Sequence, residues 1–312
     1  IKRSLIMKIN NWYNRMLSNV VSKEIYTEAF PREVRIETIN TCNQTCSFCP
    51  MSVYSEESKT RKVEKIDEAL FKKIIDELAL LNYNNILKLY TQNEPLLDSR
   101  LPSFVRYIKE KLPDLAWIQI DTNGKLLTEK LGIELITAGI TYLHVNDYTK
   151  TGGGGLNNKK EPIKSVYDKL RKRFPDIQMI YWARQVEEVL DSRAGHAPNN
   201  PLVLAKSIQA SCVYPFFQFP ITSNGNVGLC CVDAIFEQPL GNVNNESIAS
   251  IWQGKTYTEF RKDMLDGKRN KKLCSQCTFS GHGDMSKVGD KLIKYKFLKK
   301  IYKKGIKPLL YT

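Results

Sequence analysis

Strand-like and helix-like stretches alternate from residue 33 to residue 186, and this limits the fold more than any other feature of the chain. "EVRIETI" (33–39) reads as a strand. "DEALFKKIIDELALL" (67–81) repeats apolar residues at three- and four-residue steps, the period of an amphipathic helix. The pattern continues with the strand "NILKLYT", the helix "SFVRYIKEKL", the strand "AWIQIDTNG" and the helix "TEKLGIELITAG". After the strand "TYLHVNDY" and a loop carrying "TGGGG" (151–155) come the helix "IKSVYDKLRKRF" and the strand "IQMIYWARQV". Such repetition predicts parallel strands joined by helical crossovers, an α/β barrel or part of one, with chemistry at the C-terminal ends of the strands.

The first strand ends in the expected place for chemistry. "RIETINTCNQTCSFCPMS" sets Cys42, Cys46 and Cys49 within eight positions. Zinc sites usually close with four ligands and favour C-x2-C pairs. Three thiolates leave one position open, which an iron–sulfur cluster can use by keeping one iron free for something other than protein.

Composition supports an intracellular metal or redox protein. The 312 residues allow one large domain, or a domain plus a smaller module, and 42% hydrophobic residues suffice for a core. No apolar run reaches the roughly 18 to 20 residues of a membrane span. The N-terminal stretch, broken by Lys8, Asn10 and Asn11, lacks the apolar core of a signal peptide, so the expected location is cytoplasmic. Eight cysteines clustered at short spacings then argue for metal binding over disulfides. The net charge of +14 is concentrated at the ends: residues 284–312 hold nine Lys against two Asp. The mildly basic body gives no strong case for nucleic acid.

CxxxCxxC after a first strand, with Phe48 before the last cysteine, resembles the signature of the radical S-adenosylmethionine (radical SAM) superfamily. The resemblance implies that Cys42, Cys46 and Cys49 hold a 4Fe-4S cluster whose open iron is chelated by S-adenosyl-L-methionine. Reductive cleavage then yields a 5′-deoxyadenosyl radical. "YTQNEPLL" (90–97) stands where the family carries Gly-Gly-Glu-Pro, which receives the methionine amino group. Gln92 and Asn93 replace the glycines, and Glu94 and Pro95 fit. "DTNGKLLT" (121–128) resembles the Thr-Asn-Gly turn after the third strand, which adds Thr122 and Asn123 to the cofactor-binding set.

Five cysteines remain. Cys212, the pair Cys230 and Cys231 with Gly225 upstream, the linker "LGNVNNESIASIWQG" and the closing Cys274 and Cys277 resemble the C-terminal SPASM/Twitch region of radical SAM enzymes. The count suits the shorter Twitch form, with Cys212, Cys230, Cys274 and Cys277 holding one auxiliary 4Fe-4S cluster. Zinc is the competing occupant, because four thiolates suit it as well. Cys231 is left over, either a small buried hydrophobe or a hydrogen-atom donor to a substrate radical.

The expected architecture is therefore α/β, a partial (β/α)6 TIM-type barrel followed by a small Twitch-type iron–sulfur domain. Its parts are a helical extension (1–30), the barrel (31–205), the auxiliary-cluster domain (206–283) and a basic tail (284–312). "DSRAGHAPN" (191–199) resembles an Asn-Arg-Ala-Gly stretch common in related enzymes, which implies that Arg193 clamps the S-adenosylmethionine carboxylate or a substrate oxygen, with Arg184 a competitor. His196 reads as structural, and "TGGGG" as a mobile loop or lid. The auxiliary cysteine spacing most resembles enzymes acting on aminocyclitols and sugars, which implies dehydrogenation or epimerisation of a small molecule. A peptide-modifying maturase is the alternative. A flavodoxin- or ferredoxin-type reductant is the implied partner. The tail, with Val288, Leu292, Tyr295, Leu298 and Tyr302 between lysines, reads as a basic amphipathic helix suited to packing on the barrel or to an anionic surface or carrier.

Overall fold

The computed structural model describes residues 30–52, 63–200, 212–236 and 238–279. The expected N-terminal helical extension (but for its last residue) and the basic C-terminal tail lie outside the described residues. Five strands follow in order: β1 (Glu33–Ile36), β2 (Ile86–Lys88), β3 (Trp117–Thr122), β4 (Tyr142–Thr149) and β5 (Gln178–Gln185). Each pairs in parallel with the one before it. The crossovers are α1 (Glu68–Leu80), α2 (Leu101–Lys111), α3 (Glu129–Ala138) and α4 (Ile163–Arg173).

The sixth parallel strand comes from elsewhere in the chain. β6 (Gln218–Ile221), which begins the hairpin carrying Cys230, pairs with the free side of β1 in the register Glu33 to Gln218. β7 (Asn226–Val227) and β8 (Gly241–Asn242) extend it antiparallel, giving the order β5-β4-β3-β2-β1-β6-β7-β8. The fold is a mixed α/β partial barrel, and one sheet runs from it into the cysteine-rich C-terminal region. Helices α5 (Ile248–Gln253), α6 (Lys255–Leu265) and α7 (Lys272–Ser275) complete that region.

Alternation along the strands separates two environments. Val34, Ile36, Leu87, Leu89, Ile118, Ile120, Leu143 and Val145 are buried on the helix side of the sheet. There they meet the helices' apolar stripes, such as Leu70, Phe71, Ile74, Ile75 and Leu78 of α1. Each such side chain contributes about 1.5–3 kcal/mol of burial free energy. The opposite face is polar: Glu33 and Arg35, Lys88, Gln119 and Asp121, His144 and Asn146. At its lower end Glu33 takes Lys88 Nζ at 2.8 Å and Arg35 Nε at 2.5 Å. It also accepts from Gln218 Nε2 at 3.0 Å, which ties β6 to β1 and β2.

Local signals set the helix starts. Asp67 caps α1 by accepting from the amides of Ala69 and Leu70, and Thr128 caps α3 through Leu131 N–H. The glycine loop is tied back to the strand before it. Thr149 Oγ1 donates to Gly153 O at 2.6 Å, and Gly155 N–H donates to the buried Asp147 at 2.9 Å, so β4 holds the loop at two points.

Candidate active site

Three loops leave the C-terminal ends of β1, β2 and β3, and hydrogen bonds draw them together. After β1, the chain from Cys42 to Cys49 crosses to the far strands: Gln44 Nε2 donates to Tyr148 O at 3.1 Å, and Ser47 N–H to Val186 O at 3.0 Å. The Phe48 ring lies 5.6 Å from that of Tyr148. After β2, the Glu94 carboxylate accepts from Thr122 Oγ1 and Asn123 N–H, both at 2.7 Å, and from Leu96 N–H at 3.0 Å. After β3, Asn123 Nδ2 donates to Asn43 Oδ1 at 2.7 Å and lies 3.7 Å from Cys42 Sγ. The turn closes on Gly124 at φ +76°, a conformation glycine adopts freely.

The side chains of Glu94 and Thr122 are thus engaged with each other and brace the second loop against the third. Gln92 and Asn93 supply contacts that glycines could not. Gln92 Nε2 donates to Cys231 O at 2.7 Å, and Asn93 Oδ1 accepts from Thr91 N–H at 3.0 Å.

Burial dominates the electrostatics of the thiols. It pushes Cys42, helped by the Glu94 charge, and Cys46, helped by its neighbouring thiols, up to about 12, and raises Cys49 as well. Such thiols give up their protons on meeting iron. Burial also raises the Glu94 carboxyl to about 7, against the pull of its three donors.

Arg193 is half-buried, lies 4.0 Å through Nε from the Asp191 carboxylate, and is within electrostatic reach of Cys231 and Cys49. Its backbone is left-handed at φ +48°, followed by Ala194 at +55° and Gly195 at +92°. Two such non-glycine residues in a row are held at a cost of about 1–3 kcal/mol each. The surroundings impose the run: Ser192 exchanges bonds of 2.8–2.9 Å with Gln276 and Thr278, beside Cys274 and Cys277. Arg184 pairs with Glu188, and His196 donates its amide to Arg193 O.

Cys212, Cys230, Cys274 and Cys277 line one cavity with Tyr214, Leu229, Val232 and Phe279. Cys231 does not line it. The peptide of Cys231 is held instead, its N–H by Gln218 Oε1 at 3.0 Å and its carbonyl by Gln92. Arg269, almost wholly buried, lines the cavity too and places a positive charge beside Cys212, Cys274 and Cys277. Burial pushes Cys212 up to about 11 and Cys274 up to about 12.

Buried polar atoms near the first loop fit the methionine end of S-adenosylmethionine. Arg193 Nε and Asn93 Nδ2 are donors, and Gln44 Oε1 an acceptor, with no hydrogen-bond partner among the described residues. A carboxylate and an ammonium group would complete such a set.

The lumen residues Arg35, Tyr90, Asp121, His144 and Trp182 were not singled out from the sequence. A signal was present: parallel strands covered on both faces read as continuous apolar runs, whereas here every second residue is polar.

A parallel α/β sheet with three thiols over the end of its first strand and four more around one cavity is suited to holding iron–sulfur clusters. Family comparison agrees. Residues 36–146 match the radical SAM superfamily, and residues 212–278 match the SPASM iron–sulfur cluster-binding domain. The chain is 32% identical over 245 residues to S-adenosyl-L-methionine-dependent 2-deoxy-scyllo-inosamine dehydrogenase of Niallia circulans, covering 78% of this chain and 91% of that protein. The crystal structure of BtrN in complex with AdoMet and 2-DOIA is similar, with a TM-score of 0.66 and 29% identity over 80% of this chain and 93% of that one. The anSMEcpe structure with bound AdoMet shares the fold, with a TM-score of 0.52 at 12% identity over 86% of this chain and 94% of that one. The chain belongs to the radical SAM superfamily, and it is an enzyme that uses 4Fe-4S clusters and S-adenosylmethionine. Among the described residues no helix is long and apolar enough to cross a membrane.

Proposed function

We propose that the protein dehydrogenates a secondary alcohol of an aminocyclitol or sugar-like small molecule. Cys42, Cys46 and Cys49 would hold the S-adenosylmethionine-binding cluster. Cys212, Cys230, Cys274 and Cys277 would hold one auxiliary cluster, with residues 31–205 and 206–283 as the two working domains. Bound there, these cofactors supply the radical that abstracts hydrogen and an acceptor for the electron left behind.

The rest falls to the chain. Gln92, Asn93, Glu94, Thr122 and Asn123 frame the methionine end, Phe48 packs the cysteine loop against Tyr148, and Arg193 offers a planar bidentate donor to a carboxylate or a substrate oxygen. The observation that carries the reading is Arg193, whose buried Nε has no hydrogen-bond partner among the described residues and which lies within electrostatic reach of Cys49 and Cys231. A substrate gripped there would lie near both cysteines. Identity to an aminocyclitol dehydrogenase supports the substrate class.

A cluster is favoured over zinc at the second site, because the four thiols surround one cavity within the stretch similar to the SPASM iron–sulfur cluster-binding domain.

Epimerisation is the second reading, favoured by one observation: Cys231 lies outside the four-thiol cavity and close to Arg35 and Arg193. A peptide substrate rests on fold similarity alone. A flavodoxin- or ferredoxin-type reductant and a cytoplasmic setting complete the proposal. The test is anaerobic incubation of the reconstituted enzyme with S-adenosylmethionine, a reductant and 2-deoxy-scyllo-inosamine. A ketone product supports dehydrogenation, and an inverted alcohol supports epimerisation.

A further inference from the structure

The inner faces of β2, β3 and β4 carry a hydrogen-bonded set that the reaction above leaves unused. His144 Nδ1 lies 2.5 Å from Asp121 Oδ1, and Gln119 Nε2 donates to Asp121 Oδ2 at 2.8 Å. The Tyr90 hydroxyl bonds to the same carboxylate. A carboxylate only accepts, so His144 donates through Nδ1, and in the neutral imidazole the lone pair is then on Nε2. That nitrogen is buried and has no hydrogen-bond partner among the described residues. Leaving such an atom unpaired costs about 1–3 kcal/mol.

The position suits a substrate. Asp121 and His144 are register partners, two residues below Asn123, the residue that reaches Cys42. At about 3.3 Å per residue, the sheet level of Asp121 and His144 lies roughly 7 Å below Asn123 along β3, about the span of a six-membered ring. Trp182, edge-on to His144 with ring centroids 4.5 Å apart, is 48% exposed on the edge strand, so the imidazole lies one side chain from the open side of the lumen.

We propose that His144, oriented by Asp121, is the base that takes the proton of the substrate hydroxyl. The inference rests on the dehydrogenase reading. Converting a CH–OH carbon to C=O removes one hydrogen atom, one proton and one electron. The hydrogen atom and the electron have cofactors to receive them, and the proton has none. Three other carboxylates of this region are engaged: Glu33 by Arg35 and Lys88, Glu94 by three donors, Glu37 by Thr91. As the O–H bond breaks, its electron pair becomes the second C–O bond and the proton goes to Nε2.

Two measurements on the holoenzyme test this. The probe is 2-deoxy-scyllo-inosamine deuterated at its carbinol carbons. In His144→Gln, ketone formation falls at least about 100-fold, while deuterium still enters 5′-deoxyadenosine, because hydrogen abstraction needs no base. Parallel loss of ketone and deuterium transfer would make the role structural and overturn the proposal, as would ketone formation at the wild-type rate. The chain has three histidines, so nitrogen-15 histidine NMR reads the tautomer directly. The expected His144 signal is an Nε2 without a proton, and a protonated Nε2 paired with a bare Nδ1 would overturn the inference. If the wild type made no ketone from the probe, the dehydrogenase reading would fail, and the nitrogen signals would still decide the dyad.

Discussion

Gln92 donates through Nε2 to the carbonyl of Cys231 at 2.7 Å, and this bond ties the loop after β2 to the hairpin carrying Cys230. The loop after β2 and the segment holding Cys230 and Cys231 are thereby joined directly. Gln92→Ala should lower unfolding stability by about 1 kcal/mol and raise S-adenosylmethionine cleavage without product. Chemical denaturation and the ratio of 5′-deoxyadenosine to product read the two effects. An unchanged ratio would mean that the bond does not couple the loops.

Glu33 is held at about 2, because Arg35 and Lys88 outweigh the burial that would raise it. Its folded-state pKa lies below the unfolded value, so its contribution is present above about pH 4.5 and is lost as pH falls toward 2. The shift corresponds to about 3 kcal/mol. Glu33→Gln leaves two buried cations under-compensated and should cost about 3–5 kcal/mol at neutral pH. It should also remove part of the acid dependence of unfolding. A variant as stable as the wild type at pH 7 would refute the network.

Much of this was legible in the sequence. The alternation located all five strands and four crossovers, because amphipathic helices and caps such as Asp67 and Thr128 are local signals. The three motif loops were legible for the same reason, each following a strand end. Two features were not. β6 joins β1 across more than 180 residues, and parallel pairing over such a distance leaves no local mark. The left-handed run Arg193–Ala194 is imposed by Ser192, Gln276 and Thr278, since neither residue type favours that conformation. The Gln92–Asn93 replacement became intelligible only with Cys231 in view, where a side chain does what glycine cannot.

Iron content separates the metal assignments. The reconstituted protein should hold about eight irons, two 4Fe-4S clusters. Cys42→Ala, Cys46→Ala or Cys49→Ala should each abolish 5′-deoxyadenosine formation. Cys274→Ala should keep some cleavage and lose product. About four irons in the wild type, with zinc at the second cavity, would refute the auxiliary cluster.

Arg269 places a buried positive charge against the thiols of the second cavity, which favours the more reduced state of a cluster bound there. Arg269→Met should therefore lower that cluster's reduction potential in an electron-paramagnetic-resonance titration. An unchanged potential would leave Arg269 with a packing role only.

Dehydrogenation and epimerisation part at Cys231. In Cys231→Ala a dehydrogenase keeps forming ketone, with only a modest packing loss, whereas an epimerase stalls after hydrogen abstraction. In deuterated water an epimerase places one deuterium on the inverted carbon. That label, lost in Cys231→Ala, would overturn the dehydrogenase reading.

The most direct test follows hydrogen from substrate to cofactor. The anaerobically reconstituted enzyme is given S-adenosylmethionine, a reductant and 2-deoxy-scyllo-inosamine carrying deuterium on its carbinol carbons. One deuterium should appear in 5′-deoxyadenosine for each ketone formed. Unlabelled 5′-deoxyadenosine with no ketone, in protein shown to hold both clusters, would contradict radical dehydrogenation of an aminocyclitol by this enzyme.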